Sequence, residues 1–437
     1  MEKPGIEKLT VIGGGSSYTP ELIDGFIQHE DKLQVGEIVL FDIDRERLNV
    51  VGGMAQRMVQ HAELDTKVTL SLDRPAAVEG ASFVLSSMRV GQMPARIRDE
   101  KIPLKYGVIG QETTGPGGTM KAWRTIPVTL DIARDMARYA PDAWYVNFTN
   151  PSGIITEAIL KHTDLKVVGL CNNPINMQAG IAGAFGVEPQ AVFLEWVGLN
   201  HVNWIRRVYV RGKDATADLL ARLEEFAQHE EFPHFDPELV RTLGVFPTYY
   251  LQYYYDHPRK VAEAKAAPKT RGEVVHEVEM ALMKKYADPN QVVKPPELML
   301  RGGARYSEAA INVILSLMLD RRDVQIVATR NGTSLPDLPP DASVEVPCVI
   351  GAHGVTPLSL GPLPETIRPL CQQAKAWESA TVKAGVTGSR RDAVYAMMVN
   401  PLVPSFDVAK ALVDEMLEAN REYLPQFFGN TAKVTLD

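Results

Sequence analysis

The sequence predicts an α/β fold. A Rossmann-type parallel-sheet domain is expected over residues 1–200, followed by a mixed, mainly helical α/β domain over 201–437. Three observations carry this expectation. Short apolar runs alternate with helix-period apolar patterns through the first half, the mark of a parallel sheet with right-handed crossovers. The first run ends in Gly13-Gly14-Gly15, a glycine turn between a strand and a helix. After about residue 200 helical patterns dominate, in a chain of 437 residues that exceeds the ~50–250 of a typical domain.

Each element has its own reason. Residues 9–12 form a short apolar strand, and Pro20 sits where a first helical turn accepts it, so 21–29 reads as a helix. Residues 37–41 are a second strand, ending at Asp42 and Asp44. Leu48, Val51, Ala55, Met58 and Val59 then recur at helical spacing. Further strands are expected at 68–72, 83–85, 144–148 and 166–170, with a helix over 123–139. In the second half helices are expected at 217–227, 273–286, 307–319, 364–384 and 407–422, with strand-like pieces at 205–210, 324–328 and 344–350. No Gly/Ser-rich linker separates the halves, which predicts close packing. Residues 107–118 hold five glycines in twelve positions and read as either an active-site lid or an anion cradle.

Composition narrows the function. The chain is 45% hydrophobic and 23% charged, ordinary for a globular protein. A net charge of −8 disfavours nucleic acid or an anionic membrane as partner. It leaves room for a small anionic substrate in an arginine pocket. Three cysteines are too few for a disulfide framework and suit a reducing compartment. Residues 1–8 carry no apolar signal segment, and the apolar stretch 309–319 is about half the ~20 residues a membrane span needs. A cytoplasmic protein is expected.

The glycine turn suggests a dinucleotide. Gly13 and Gly15 match the first two fingerprint glycines, Ser16 and Ser17 follow, and Tyr18 occupies the third glycine's place. Asp42 ends the second strand, where a carboxylate binds ribose hydroxyls and favours NAD over NADP. The competing reading is a glycine-rich turn without nucleotide.

Two side chains suggest a metal. Cys171 opens Cys171-Asn172-Asn173-Pro174 after an apolar strand, and His201 ends Gly198-Leu199-Asn200-His201 after another. Taken singly, a buried cysteine is usually a small hydrophobe and a histidine a satisfied polar residue. Together they make a thiolate–imidazole pair with positions open to substrate oxygens. By ligand softness alone the pair suits zinc, cobalt or iron before manganese. Residues 249–255 contain five tyrosines in seven. They read as an amphipathic helix packing rings on the first domain, or as the source of a general base whose phenol pKa of ~10 a cation would lower. Arg89, Arg96 and Arg98 form a basic cluster, either solvated or holding a phosphate.

Taken together these residues resemble glycoside hydrolase family 4, the NAD- and metal-dependent phospho-glycosidases. The resemblance covers essentially the whole chain. It rests on the segment 11–20, Ile102-Pro103-Leu104-Lys105-Tyr106-Gly107, Gly110-Gln111-Glu112-Thr113, Gly115-Pro116-Gly117-Gly118, Asn147-Phe148-Thr149-Asn150-Pro151 and Gly198-Leu199-Asn200-His201. It implies a lactate/malate-dehydrogenase-like arrangement of domains and a homo-oligomer, a dimer or tetramer. Cys171 and His201 are implied as ligands of a divalent metal, usually Mn²⁺ in the family. Arg96 and Asn150 match substrate-binding positions, and Arg271 matches a further phosphate contact. Tyr250 matches the proton acceptor, and Glu112 a carboxylate that raises its basicity. The family's α-glucoside-type members carry an acidic Asp directly after the metal cysteine. This chain has Asn172 there, and it resembles the 6-phospho-β-glucosidases in this segment and in Asn400-Pro401-Leu402-Val403-Pro404-Ser405.

The resemblance implies hydrolysis of 6-phospho-β-glucosides such as phosphorylated cellobiose. NAD⁺ would oxidise C3, Tyr250 would remove the C2 proton, the C1 substituent would leave, water would add, and the hydride would return. The NAD-dependent family is an exception to the two-carboxylate rule for glycosidases. Rival expectations are a family member acting on 6-phospho-α-glucosides or galactosides, a 2-hydroxy-acid dehydrogenase, and an NAD-sensing regulator.

Overall fold

A computed structural model describes residues 5–223, 234–302 and 305–429. Its centre is a nine-stranded sheet. Six parallel strands come from the first half: β1 (Gly5–Ile12), β2 (Gln34–Phe41), β3 (Lys67–Ser71), β4 (Phe83–Ser86), β5 (Trp144–Asn147) and β6 (Lys166–Gly169). Their spatial order, β3-β2-β1-β4-β5-β6, is the doubly wound order of dinucleotide-binding domains. The last four residues of β1 and of β2 are all buried, as expected of parallel strands covered by helices on both faces. The strands expected from sequence stand where they were placed, with ends shifted by a few residues.

Two short strands and a hairpin form a second sheet. β7 (Val192–Leu199) and β8 (Val202–Val210) pair antiparallel. β9 (Lys213–Asp214) and β10 (Phe246–Pro247) both pair with β8. The strand-like pieces near 324 and 344 are β11 (Asp323–Arg330) and β12 (Ser343–Gly351), which lead into β13 (Gly354–Pro357). These three do not build a separate sheet. They extend the first one antiparallel beyond β6, through the pairing of Ala328 with Gly169. Periodicity reports which faces of a strand are buried and not which strand lies next to it, so this junction is a product of tertiary structure.

The helix Gly115–Tyr139 runs 25 residues and is buried over most of its length. Its Trp123 and Arg124 are almost fully enclosed, and Arg124 forms a two-point ion pair with buried Asp99, at 2.9 and 2.6 Å. Helix Arg368–Thr387 packs on it, so the C-terminal helices close over the first domain. One hydrophobic cluster extends from Ile6 to Ala374 and joins the two halves. Gly25 lets helix Thr19–Gln28 approach Tyr306–Leu319, since a Cβ there would lie 2.3 Å from Ser307 Cβ. The helix expected over 217–227 is present as Thr216–Ala221, and residues from 224 lie outside the described set. No described helix is long and apolar enough to cross a membrane.

Candidate active site

The parallel strands all deliver their C-terminal ends to one edge, and the site grows from that edge. At the end of β1, Gly13 has φ +85°, and a Cβ would meet the Ser87 carbonyl at 2.5 Å. Gly15 lies against Asp42, whose Oδ2 accepts its N–H at 2.9 Å while Oδ1 accepts that of Asp44 at 3.0 Å. Gly13 is therefore demanded by backbone shape, and Gly15 by the close approach of the Asp42 carboxylate, which a Cβ would meet at 2.8 Å. Gly13, Gly15, Ser16 and Asp42 line a cavity of about 570 Å³. Ser17 does not line it; its buried hydroxyl donates to Glu279 at 3.3 Å. Tyr18, in the third glycine's place, turns its ring into the cavity wall against Tyr306, with centroids 5.6 Å apart.

The far end of the cavity is polar. Arg89, Lys121, Asn150, Arg301 and Tyr306 line it. Arg89 and Lys121 both donate to Glu112 Oε2, Lys121 at 3.0 Å, and Arg96 Nη1 lies 3.2 Å from Oε1. Burial alone pushes the Glu112 carboxyl up, but Arg89, Arg96 and Lys121 outweigh it and hold it well below the usual range. Burial, reinforced by Arg89, brings the Lys121 ammonium down to about 7 against the opposing pull of Glu112. Arg96 is no surface charge: it is buried and also bonded to Glu100 at 2.9 Å. Arg98 turns away, toward Asn420 and Glu422.

Behind this charged layer the structure brings Cys171, His201 and Tyr250 together. Cys171 Sγ lies 3.6 Å from His201 Nε2, and the His201 and Tyr250 rings stack with centroids 3.9 Å apart. His201 sits at φ +67° in the tight turn between β7 and β8. Burial drops its pKa to about 3, so the imidazole is neutral, the form that ligates metals. Among the described residues its buried Nδ1 has no hydrogen-bond partner. Burial, together with Glu345, pushes the Cys171 thiol up. Burial likewise raises the Tyr250 phenol well above its ordinary value, with Cys171, Tyr306, Tyr253 and Glu112 adding to the effect. A neutral imidazole whose Nε2 faces, at 3.6 Å, a buried thiol that needs a cation to ionise fits a metal site. Among the described residues no group of three or more His, Cys, Asp or Glu is placed to hold an ion, so open positions would fall to other donors.

The remaining residues divide. Asn150 precedes Pro151 in a cis peptide bond and lines the cavity beside Tyr306. Arg271 is exposed at the start of helix Arg271–Ala287 and donates to the carbonyls of Leu300, at 3.0 Å, and Arg301. It reaches the site only through the backbone that carries Arg301. The glycine-rich segment 107–118 is no detached lid. A Cβ on Gly110 would lie 1.6 Å from the Glu100 carbonyl oxygen, and Gly115 already begins a helix. The tyrosine-rich segment is a 3₁₀ turn, Tyr249–Leu251, followed by one helical turn, Gln252–Tyr255. Lys121, Arg301 and Tyr306 were not anticipated. Lys121 had a signal, a lysine inside the apolar run Met120-Lys121-Ala122-Trp123, whereas Arg301 ends the short 3₁₀ helix Pro296–Arg301, whose sequence gives none.

Comparison with known proteins decides the lineage. The model of the family 4 glycosyl hydrolases matches residues 8–187, and that of their C-terminal domain matches 196–403. The chain belongs to family 4 of the glycosyl hydrolases. Within this family it is 45% identical over 432 residues to a probable 6-phospho-β-glucosidase of Bacillus subtilis, covering 96% of this chain and 98% of that one. It is 38% identical to the 6-phospho-β-glucosidase of Escherichia coli, covering 96% of each. The crystal structure of the 6-phospho-β-glucosidase from Thermotoga maritima with manganese, NAD⁺ and glucose 6-phosphate superposes with a TM-score of 0.88. That match has 35% identity and covers 95% of this chain and 99% of that one. Malate dehydrogenase from Plasmodium falciparum, at 11% identity and a TM-score of 0.53, shares the fold alone, in keeping with the dehydrogenase-like arrangement.

Proposed function

We propose that this family 4 enzyme hydrolyses 6-phospho-β-glucosides, releasing glucose 6-phosphate. The observation that carries the reading is the stacking of Tyr250 on His201, beside Cys171 and behind a cavity lined by Gly13, Gly15, Ser16 and Asp42. NAD suits that cavity, with Asp42 toward the ribose. A divalent cation, Mn²⁺ by the precedent of the Thermotoga maritima relative, suits Cys171 and His201. When bound, the nicotinamide supplies a reversible hydride acceptor and the cation supplies positive charge for the sugar oxygens and the phenol.

The chain's own residues then have defined work. Tyr250, held as a phenol by burial, becomes a base only beside a positive charge, and takes the proton from sugar C2. Glu112 faces it as a fixed anion and keeps the phenolate basic. Arg96 holds Glu112 in place, and Asn150 orients the sugar from the cavity wall. Arg89 and Arg301 present cationic groups to the cavity for anionic parts of the ligands, and Arg271 supports Arg301 from behind. Asn172, in place of an acidic residue, favours the β-glucoside class. A phosphorylated substrate and an oxidisable thiol ligand suit the cytoplasm. Half-exposed Met280 and Met299, on two packed elements, favour a homo-oligomer, a dimer or tetramer, which sedimentation would size.

The test is turnover of p-nitrophenyl 6-phospho-β-glucoside in D₂O with NAD⁺, Mn²⁺ and a thiol reductant. Nitrophenol release with deuterium at C2 of the sugar is the expected result. Release without deuterium would point to direct displacement and remove Tyr250 from its role. No release would move the assignment to α-linked or galacto-configured substrates.

A further inference from the structure

A carboxylate outside the cavity organises the cluster. Glu345 lies on β12, in the second half of the chain, and is 1% exposed. Among the described residues no lysine or arginine pairs with it; it takes three neutral N–H donors. Asn200 Nδ2 donates to Oε1 at 2.8 Å. Asn203 Nδ2 and Trp196 Nε1 donate to Oε2 at 2.7 and 3.1 Å. All three donors belong to the β7–β8 hairpin, whose turn holds His201.

Each asparagine passes the contact on. Asn200 neighbours His201 in sequence, and its Oδ1 accepts the N–H of Gly153 at 3.2 Å, next to the Asn150–Pro151 loop. The Asn203 carbonyl accepts the Thr248 hydroxyl at 3.0 Å and the Thr248 N–H at 3.2 Å, and its Oδ1 accepts the same hydroxyl. Thr248 in turn accepts the Leu251 N–H at 3.0 Å, closing the turn that carries Tyr250. One buried carboxylate therefore fixes three loops: the histidine turn, the tyrosine turn and the asparagine loop. The positive φ of His201 makes such fixing necessary, because a non-glycine residue stays there only when its surroundings hold it.

We infer that Glu345 is a positioning residue which sets the separation of His201 from Tyr250 by ordering Asn200 and Asn203. The inference rests on the assignment of Cys171, His201 and Tyr250 above. The chemistry requires a carboxylate there. A glutamine would turn an NH₂ group toward at least one N–H donor, and no rotation satisfies all three.

The experiment uses the full-length enzyme. Mn²⁺ affinity is read without substrate from the EPR signal of free Mn²⁺, NAD⁺ affinity from protein fluorescence, and kcat and KM from nitrophenol release. Glu345→Gln is expected to weaken Mn²⁺ binding about 10–100-fold and to lower kcat similarly, the usual scale for residues that orient metal ligands. NAD⁺ affinity should stay within about twofold, because Glu345 touches nothing in the Gly13–Asp42 region. Thr248→Val removes the hydroxyl bonds of the tyrosine arm and keeps its backbone bonds, so kcat should fall several-fold, with a small loss of Tm, while Mn²⁺ affinity holds. Mn²⁺ binding and kcat of Glu345→Gln within twofold of the parent would overturn the inference. If that variant does not fold, an unchanged kcat in Thr248→Val would overturn it instead. A parent enzyme that binds no Mn²⁺ would remove the metal assignment and this inference with it.

Discussion

The His201 imidazole and the Tyr250 phenol are stacked with ring centroids 3.9 Å apart and planes tilted by 37°. They come from a hairpin turn and a 3₁₀ turn separated by nearly fifty residues, so the contact is made by folding alone. It places the proposed base beside the proposed metal ligand, where a cation would oppose the burial that keeps the phenol protonated.

Tyr250→Phe should lower kcat by about 10²–10⁴-fold, the usual contribution of a positioned base. NAD⁺ affinity, followed by fluorescence, should not change, because Tyr250 does not line the cavity. A variant with most of its activity would assign the base elsewhere.

Cys171 should make the enzyme sensitive to oxidants and chelators. Oxidation of the thiol removes a ligand. Activity should therefore fall with EDTA or mild peroxide, and return with Mn²⁺ or with a reductant respectively. Cys171→Ser should need a much higher Mn²⁺ concentration for half-maximal activity. An activity indifferent to EDTA would contradict the metal site.

Glu112→Gln should cost both rate and stability. It leaves Arg89, Arg96 and Lys121 facing one another without their shared anion. Breaking a buried ion pair from one side typically costs about 3–5 kcal/mol. Denaturant unfolding and kcat measured together should show both losses, and raised salt should recover part of the stability.

Gly110→Ala should destabilise the fold by about 3 kcal/mol or more, beyond the usual range for overpacking, because the listener to its new Cβ is a backbone carbonyl rather than a side chain that can move. The segment it anchors carries Glu112, so activity should fall at temperatures below the new Tm as well.

Stability should drop in acid through Glu157. This fully buried carboxylate is pushed up by burial, but Lys375 and Lys161 outweigh that and bring it down to about 2. Its folded pKa is thus below its unfolded value near 4.5. The contribution is complete above pH 4.5 and is lost as pH falls toward 2. A shift of this size corresponds to about 3 kcal/mol. Glu157→Gln should flatten the dependence of unfolding free energy on pH across that window.

The glycine turn, the alternation of parallel strands with helices and the separate positions of Cys171 and His201 were legible in the residues themselves, whereas Tyr250 was singled out from its tyrosine run by the family resemblance. They rest on local rules: glycine where the backbone turns or approaches closely, alternating periodicity, and residue types that can ligate or move protons. Other features depended on distant segments meeting. Glu345 reads in sequence as one acid within the strand Ser343–Gly351, and only the docking of β12 beyond β6 sets it against Trp196, Asn200 and Asn203. Lys121 and Arg89 gained their meaning when Glu112 arrived between them. Ser17 lost a direct place at the cavity because its hydroxyl was closer to Glu279. The sequence by itself determined the parts and the scaffold, since both depend on local backbone and side-chain chemistry. The tertiary structure decided which charges are shared and how they titrate, since burial and long-range pairing exist only in the folded chain.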